Sequence, residues 1–250
     1  MAETRNLENF IATMPPRYGQ TFQVAAIEQH ARTSRARGAR SVNLGLFEAT
    51  GSKETALCVG APDRPGLLAI TTLAFVTCGL DIIAAEVFTR RVGEASDEAV
   101  DLFWVRRQHP WDAIPLKPSD IRKIRDTMIE TIKRAPSEIL PGASLSGKTP
   151  TATGTLVRFL EEAEGRLAVL ELESADKTGL MFEVCQALFS KGIQIVGSHI
   201  STQNGRVKGR FEITELTDLP IEASRRHLIK LAILSAIDGT SKDAISLMVG

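Results

Sequence analysis

An internal repeat constrains the fold of this chain more than any other feature of its sequence. The segment "APDRPGLLAITTLAFVTCGLDI" begins at Ala61, and "SADKTGLMFEVCQALFSKGIQI" begins at Ser174 with the same layout, at a constant offset of 113 residues. In both segments a strand-like run leads through a short junction containing Asp and Gly into an apolar helical pattern. A chain that carries this strand-to-helix junction twice is expected to contain two copies of one folding unit.

The pattern around the first junction predicts the order β-α-β-β-α. A strand begins at Thr55, a helix follows Pro65, two strands cover 80–91 and 98–107, and a second helix covers 117–135. The strand "TLVRFL" at 155–160 is expected to close this copy. The second copy is expected to repeat the order and to close with "AISLMV" at 244–249. Such βαββαβ units are ferredoxin-like, with two helices on one face of an antiparallel sheet.

The predicted fold class is therefore α+β, with two ferredoxin-like domains in tandem behind an N-terminal helical segment. The helical segment is assigned to residues 1–50, the first domain to 51–163 and the second to 164–250. A stretch rich in Pro, Gly, Ser and Thr at 136–153 is expected to be an exposed linker.

Composition excludes several classes of partner. Thirty basic residues balance thirty acidic ones, so no overall field attracts the protein to nucleic acid or to an anionic membrane. The first residues lack the pattern of a targeting signal and no long apolar run follows, which predicts a cytoplasmic protein. Cys58, Cys78 and Cys185 are far apart among apolar neighbours and are expected to be reduced core thiols. Neither a metal site nor a cofactor is predicted.

The junction residues also resemble a known family. "DRPGLL" with "GLDI" and "AVDLFWV" is similar to ACT domains, which are small regulatory modules that bind amino acids. The segment "MPPRYGQTFQVAAIEQH" resembles the connector that precedes the paired ACT domains of bifunctional uridylyltransferase/uridylyl-removing enzymes, which modify the nitrogen signalling protein PII. This resemblance implies a regulatory module that binds an amino acid such as glutamine, forms a homodimer and signals to a partner protein.

The chain departs from that family in its catalytic motifs. Nucleotidyl transfer needs a Gly-Ser pair followed closely by Asp-x-Asp to hold magnesium, and neither Gly51-Ser52 nor Gly197-Ser198 has that partner. The hydrolytic half needs an adjacent His-Asp pair, and none of the four histidines is followed by Asp. The chain is therefore expected to have no catalytic residues and not to be an enzyme.

The predicted ligand site lies at the two junctions. Amide groups at the start of a helix are unpaired and carry partial positive charge that suits a carboxylate, and a glycine lets a ligand approach the backbone. In ACT domains the start of the second strand closes the site. The predicted ligand-binding residues are Asp63, Arg64, Pro65, Gly66, Leu67, Leu68, Asp81 and Ile82 in the first copy, and Asp176, Lys177, Thr178, Gly179, Leu180, Gln194 and Ile195 in the second.

Several interpretations stay open from the sequence. Each junction can instead be an ordinary strand-to-helix turn, in which Asp63 and Asp176 satisfy backbone amides. The two copies can then serve as a ligand-free scaffold for dimerisation, or as a subunit of a nucleotidyltransferase-type enzyme. The sequence does not specify the amino acid, the regulated partner, the oligomeric state or whether both copies bind.

Overall fold

The computed structural model describes residues 2–49, 51–93, 97–108, 115–133, 154–160 and 166–238. In these ranges the helices are α1 (Ala2–Ala12), α2 (Pro16–Thr21), α3 (Val24–Arg37), α4 (Leu67–Thr77), α5 (Pro118–Lys133), α6 (Leu180–Ser190) and α7 (Ala223–Asp238). The strands are β1 (Asn43–Leu46), β2 (Thr55–Pro62), β3 (Leu80–Arg91), β4 (Asp97–Arg107), β5 (Leu156–Leu160), β6 (Ala168–Ala175), β7 (Ile193–Gln203) and β8 (Arg206–Glu215). None of the described helices combines the length and the apolar character that crossing a membrane requires.

The eight described strands form one antiparallel sheet in the order β1-β2-β4-β3-β7-β8-β6-β5. The chain from β1 onwards forms two halves, the first from β1 to α5 and the second from β5 to α7. Each half has the element order ββαββα. The halves meet where β3 pairs with β7, and Glu86 lies opposite His199 in that pairing. These two residues are equivalent by the offset of 113, so the halves are related by an approximate twofold axis between them.

The outer strands correct the predicted topology. The strand at 155–160 was expected to close the first copy, but β5 pairs with β6 of the second half, with Leu156 opposite Glu173. In the first half, β1 pairs with β2 at the corresponding position, with Asn43 opposite Gly60. The offset of 113 therefore also relates β1 to β5, and an edge strand precedes each unit. The predicted closing strand at 244–249 and the linker at 136–153 lie outside the described residues.

The prediction that residues 1–50 are helical is wrong at 43–46, which form β1. This strand has only four residues, "NLGL", and none of them is β-branched or aromatic. A short edge strand of that composition gives almost no local signal, and pairing with β2 supplies its order instead.

The main core lies between one face of the sheet and helices α4 to α7. Aromatic rings from both halves contribute to it, and Phe103 and Phe211 occupy equivalent positions. Phe103 of β4 meets Phe75 of α4 edge to face at 4.9 Å between ring centroids, and Phe182 and Phe211 are fully buried in the second half. All three cysteines are free, and the prediction of a core position is confirmed for Cys58 and Cys185, whereas Cys78 is only partly buried.

The other face of the sheet is covered by α1 to α3 in the first half. The helices cover the first half because the residues on this face of β2 and β4 are apolar, whereas their equivalents on β6 and β8 are charged. Cys58 and Leu102 contribute to a second apolar cluster beneath the helices, whereas their equivalents in the second half are Glu171 and Arg210. Charged side chains on β6 and β8 suit a face in contact with water. The sequence thus directs the N-terminal helices to the first half.

Candidate functional site

The predicted site residues come together across the two halves. The first junction, residues 63–68, lies against Ile193, Gln194 and Ile195 at the start of β7. The second junction, residues 176–180, lies against Asp81 and Ile82 at the start of β3. Each junction is therefore closed by the other half, and the two sites are formed only because β3 and β7 are paired.

Glycine determines the local geometry of both junctions. Gly66 has φ 78° and ψ 0°, and Gly179 has φ 78° and ψ 2°, in the left-handed region that other residues enter at a cost. The chain then enters the helix through one tight turn, with the Leu67 amide donating to the Arg64 carbonyl at 3.2 Å and the Leu180 amide donating to the Lys177 carbonyl at 3.1 Å. Pro65 and Thr178 occupy equivalent exposed positions in these turns.

The basic residues of both junctions bind helix ends of their own half. The Arg64 guanidinium donates to the Ile132 carbonyl at the end of α5, at 3.4 Å. The Lys177 ammonium donates to the Ile237 carbonyl at the end of α7, at 2.5 Å. Basic side chains suit the carbonyl ends of helices. Both residues thus attach the second helix of a half to its junction, although each was predicted to bind ligand.

The first junction encloses a cavity of about 30 Å³ with two carboxyl groups in its wall. Oδ2 of Asp63 accepts a hydrogen bond from the Thr89 hydroxyl at 3.0 Å. Oδ1 of Asp101, on β4, is buried without a hydrogen-bond partner. Burial raises the pKa of Asp63 and, together with the neighbouring Asp63 carboxyl, raises the pKa of Asp101 well above its usual value. The cavity therefore offers acceptors that a donor or a cation would satisfy.

A groove of about 820 Å³ lies beside the first cavity. Asp63, Val87, Thr89 and Gln194 belong to the walls of both, so they form the boundary between the two spaces. Residues 12–17, between α1 and α2, form another wall of the groove. A ligand held by its end in the cavity would have room for its remainder in the groove.

An aromatic ring limits the depth of the first cavity. A Cβ atom at Gly66 would lie 3.0–3.2 Å from three ring atoms of Phe189, which belongs to α6 of the second half. Phe189 is partly exposed. The residue equivalent to it at the second junction is Val76, a smaller side chain. The Phe189 ring is therefore the group that has to shift if a ligand is to reach the Gly66 backbone.

The second junction is closed by an ion-pair clamp. One guanidinium nitrogen of Arg106 lies 3.0 Å from Oδ2 of Asp81 and 3.1 Å from Oδ2 of Asp176, so it joins the halves. The cavity there is only about 10 Å³. At the first junction Gln194, Asp63 and Thr214 occupy the equivalent positions, so no such clamp forms. The two predicted sites therefore differ, and the first is the open one.

Replacing Arg106 with Leu is expected to lower the free energy of unfolding by about 1–2 kcal/mol. The change leaves two largely buried carboxylates facing each other, while the half-exposed position of the Arg106 side chain reduces the loss below that of a fully buried pair. Denaturant titration measures the change. The matched control is Arg158→Leu, which removes an exposed pair with Glu171 and should cost less than about 1 kcal/mol. Equal losses for the two variants would show that Arg106 does not clamp the halves.

Sequence reasoning missed Asp101, Thr89, Arg106 and Phe189. Only Asp101 left a recognisable signal, because it is a charged residue on the inward face of β4 between Ala99 and Phe103. Arg106 and Phe189 join the sites through the pairing of the halves, and Thr89 joins through its hydrogen bond to Asp63. Across the described ranges no group of His, Cys, Asp and Glu side chains is placed to hold a metal ion.

Comparison with known proteins identifies relatives over about nine-tenths of this chain. Three bifunctional uridylyltransferase/uridylyl-removing enzymes are similar to this chain. The Nitrobacter hamburgensis enzyme is 29% identical over 237 residues, the Bradyrhizobium diazoefficiens enzyme 25% over 239 and the Nitrobacter winogradskyi enzyme 26% over 234. These alignments cover 91%, 93% and 91% of this chain and 25% of each relative.

The chain thus spans about a quarter of the length of the curated relatives it matches. No protein-family model matches it. The resemblance predicted from the junction residues and the connector is nevertheless confirmed by these alignments: over about nine-tenths of its length, this chain is related in sequence to a quarter-length region of bifunctional uridylyltransferase/uridylyl-removing enzymes.

Proposed function

We propose that this chain is a non-catalytic regulatory module of two ACT-type, ferredoxin-like units that binds one small amino acid at the first junction. The observation that carries the proposal is the crossed arrangement of the junctions, in which the halves together enclose one open polar cavity. A ligand there touches both halves and so stabilises one arrangement of the whole sheet. A partner protein in nitrogen regulation would recognise that arrangement. Glutamine is the first candidate ligand.

The chemistry of the first cavity suits the two charged groups of an amino acid. The start of α4, an eleven-residue helix, provides unpaired amides and partial positive charge for the carboxylate. The carboxyl groups of Asp63 and Asp101 provide acceptors for the ammonium. At about 30 Å³ the empty cavity has room for about two water molecules, so the ligand enters as the Phe189 ring shifts and its side chain extends past Gln194 into the groove.

The non-catalytic part of the proposal rests on the sequence. The Gly-Ser with Asp-x-Asp pattern and the His-Asp pair, which the resemblance leads one to look for, do not occur in these 250 residues. The relatives are enzymes four times as long as the matched region. A module of this kind would report amino-acid levels rather than carry out their uridylyl chemistry.

A thermal-shift screen of the twenty amino acids tests the proposal. A ligand at about a hundred times its dissociation constant adds roughly 2.7 kcal/mol, which for a chain of this size raises the melting temperature by about 5–10 °C. Gly66 is unsuitable for substitution because its positive φ would strain any other residue. Gln194→Ala, at the mouth of the cavity, is therefore the test variant and should weaken binding about fivefold to tenfold by removing a hydrogen-bonding side chain.

The control for that screen is Gln203→Ala, which changes an exposed residue at the far end of the same strand. It should leave both the shift and the affinity from calorimetry unchanged. If no amino acid shifts the melting of the unmodified chain, the second candidate takes its place. That candidate is a ligand-free scaffold for self-association, which the small cavities and the outer edge strands β1 and β5 favour.

A further inference from the structure

Asp101 is a buried carboxyl group that forms no ion pair within the described part of the chain. It is 1% exposed, and its Oδ1 has no hydrogen-bond partner. Glu98, three residues earlier on the same strand, shows how a buried carboxylate is otherwise satisfied here. It accepts from the Ser34 hydroxyl at 2.6 Å and pairs with Arg37 and Arg90 at 2.9 and 2.8 Å. An unsatisfied buried acceptor is costly, so the position of Asp101 requires a reason.

Among the described residues, the groups that face Asp101 do not supply a positive charge. Asp63 approaches from the junction and the Cys185 thiol approaches from α6, while the Phe88 amide donates to the Asp101 carboxyl group. Arg64 forms part of the cavity wall, but its guanidinium binds the end of α5. Burial and, after it, the neighbouring Asp63 carboxyl raise the pKa of Asp101 well above its usual value, although the hydrogen bond from the Phe88 amide acts in the opposite direction. Burial therefore favours the protonated, neutral form of Asp101 in the empty cavity.

The second half lacks this carboxyl. Matching Phe103 to Phe211 places Gly209 at the position of Asp101. A Cβ atom on Gly209 would lie 2.7 Å from the Phe211 ring, so the second half has no room there for a side chain. The Asp101 carboxyl thus belongs to the half whose junction is open, and it lies on the wall of that cavity.

We propose that Asp101 receives the α-ammonium group of the amino acid that binds at the first junction. This inference rests on the proposed function and adds the orientation of the ligand. The neutral Asp101 carboxyl loses its proton to solvent as the ammonium enters, and the resulting carboxylate forms a charge-assisted hydrogen bond with it. One proton is released for each ligand bound, so the Asp101 carboxylate balances the ammonium, and the ligand carboxylate faces the partial positive charge at the start of α4.

The first test uses the unmodified chain with L-glutamine and with 4-carbamoylbutanoate, which is glutamine without its amino group. Calorimetry at pH 7 in phosphate and in Tris measures proton release from the difference in apparent enthalpy. Glutamine should release close to one proton and bind about tenfold or more tightly than 4-carbamoylbutanoate, which should release none. Equal affinities, or glutamine binding without proton release, would overturn the proposal.

The second test uses Asp101→Asn, which keeps the shape of the side chain and cannot release a proton. Glutamine should bind this variant about tenfold more weakly, without proton release and without preference over 4-carbamoylbutanoate. Circular dichroism and thermal melting check that the variant folds. If it does not fold, the first test still decides the proposal because it uses the unmodified chain. If Asp63→Asn abolishes the proton release and Asp101→Asn keeps it, the ammonium binds Asp63 and the proposal is wrong. Failure of all twenty amino acids to bind the unmodified chain refutes the proposed function itself.

Discussion

Replacing Tyr18 with Ala is expected to lower the free energy of unfolding by about 3–5 kcal/mol, which corresponds to a fall of about 10 °C in melting temperature. Tyr18 is fully buried between the N-terminal helices and the sheet. Its ring lies 5.2 Å from the Phe88 ring of β3, 5.3 Å from that of Phe22 and 6.0 Å from that of Phe10. No other side chain of α2 is buried, so its loss opens the contact between this segment and the sheet.

The control is Tyr18→Phe, which keeps the ring and removes only the 2.7 Å hydrogen bond with Nδ1 of His30. It should cost about 1–2 kcal/mol, and urea titration of the three proteins separates the losses of packing and hydrogen bonding. Because residues 12–17 form a wall of the groove beside Gln194, Tyr18→Ala should also weaken amino-acid binding. A loss below 1 kcal/mol for Tyr18→Ala would show that the helices do not pack on the sheet as described.

The sequence was sufficient to predict the elements that carry strong local patterns. The limits predicted for β3, residues 80–91, are those observed, and β4 begins one residue earlier than predicted. Alternation of apolar residues and flanking glycines specify such strands without reference to the rest of the chain. The repeat at an offset of 113 residues also predicted that two similar halves would form.

What the sequence did not predict depends on contacts between distant segments. β5 was assigned to the wrong half because a short strand does not encode its partner, and antiparallel pairing with either half satisfies its backbone. The crossed junctions depend on the pairing of β3 with β7, and Phe189 and Arg106 become site residues through it, whereas Thr89 reaches Asp63 within the first half. No local pattern marks these three side chains.

The two junctions differ in whether their polar residues line a cavity or pair with each other. Near the first, the residues are Gln194 and Asp101, while the equivalent positions at the second are Asp81 and Gly209. Asp81 is then neutralised by Arg106, and Gly209 leaves no carboxyl. One copy of the repeat thus keeps polar groups free in a cavity, and the other uses them to hold the halves together. This division supports a single ligand site per chain.

Lowering the pH below about 6.5 is expected to destabilise the fold through His30. His30 is fully buried, and burial lowers its pKa from an ordinary 6.5 to about 3. The unfolded chain therefore takes up a proton as the pH falls through 6.5, whereas the folded chain stays neutral at this residue until about pH 3. Because the unfolded state binds more protons in this window, the free energy of unfolding falls by about 1.4 kcal/mol for each pH unit, or about 2 kcal/mol by pH 5.

His30→Gln removes this titration and provides the test. The unmodified chain should lose about 2 kcal/mol more than the variant between pH 7 and pH 5, when both are unfolded with urea at each pH. The comparison of slopes is independent of any constant loss that the variant suffers, and the carboxyl groups contribute to both proteins alike. His227 is exposed on α7, so His227→Gln should follow the unmodified chain. If His30→Gln keeps the full acid sensitivity, His30 is not buried as a neutral group and the N-terminal helices do not enclose it.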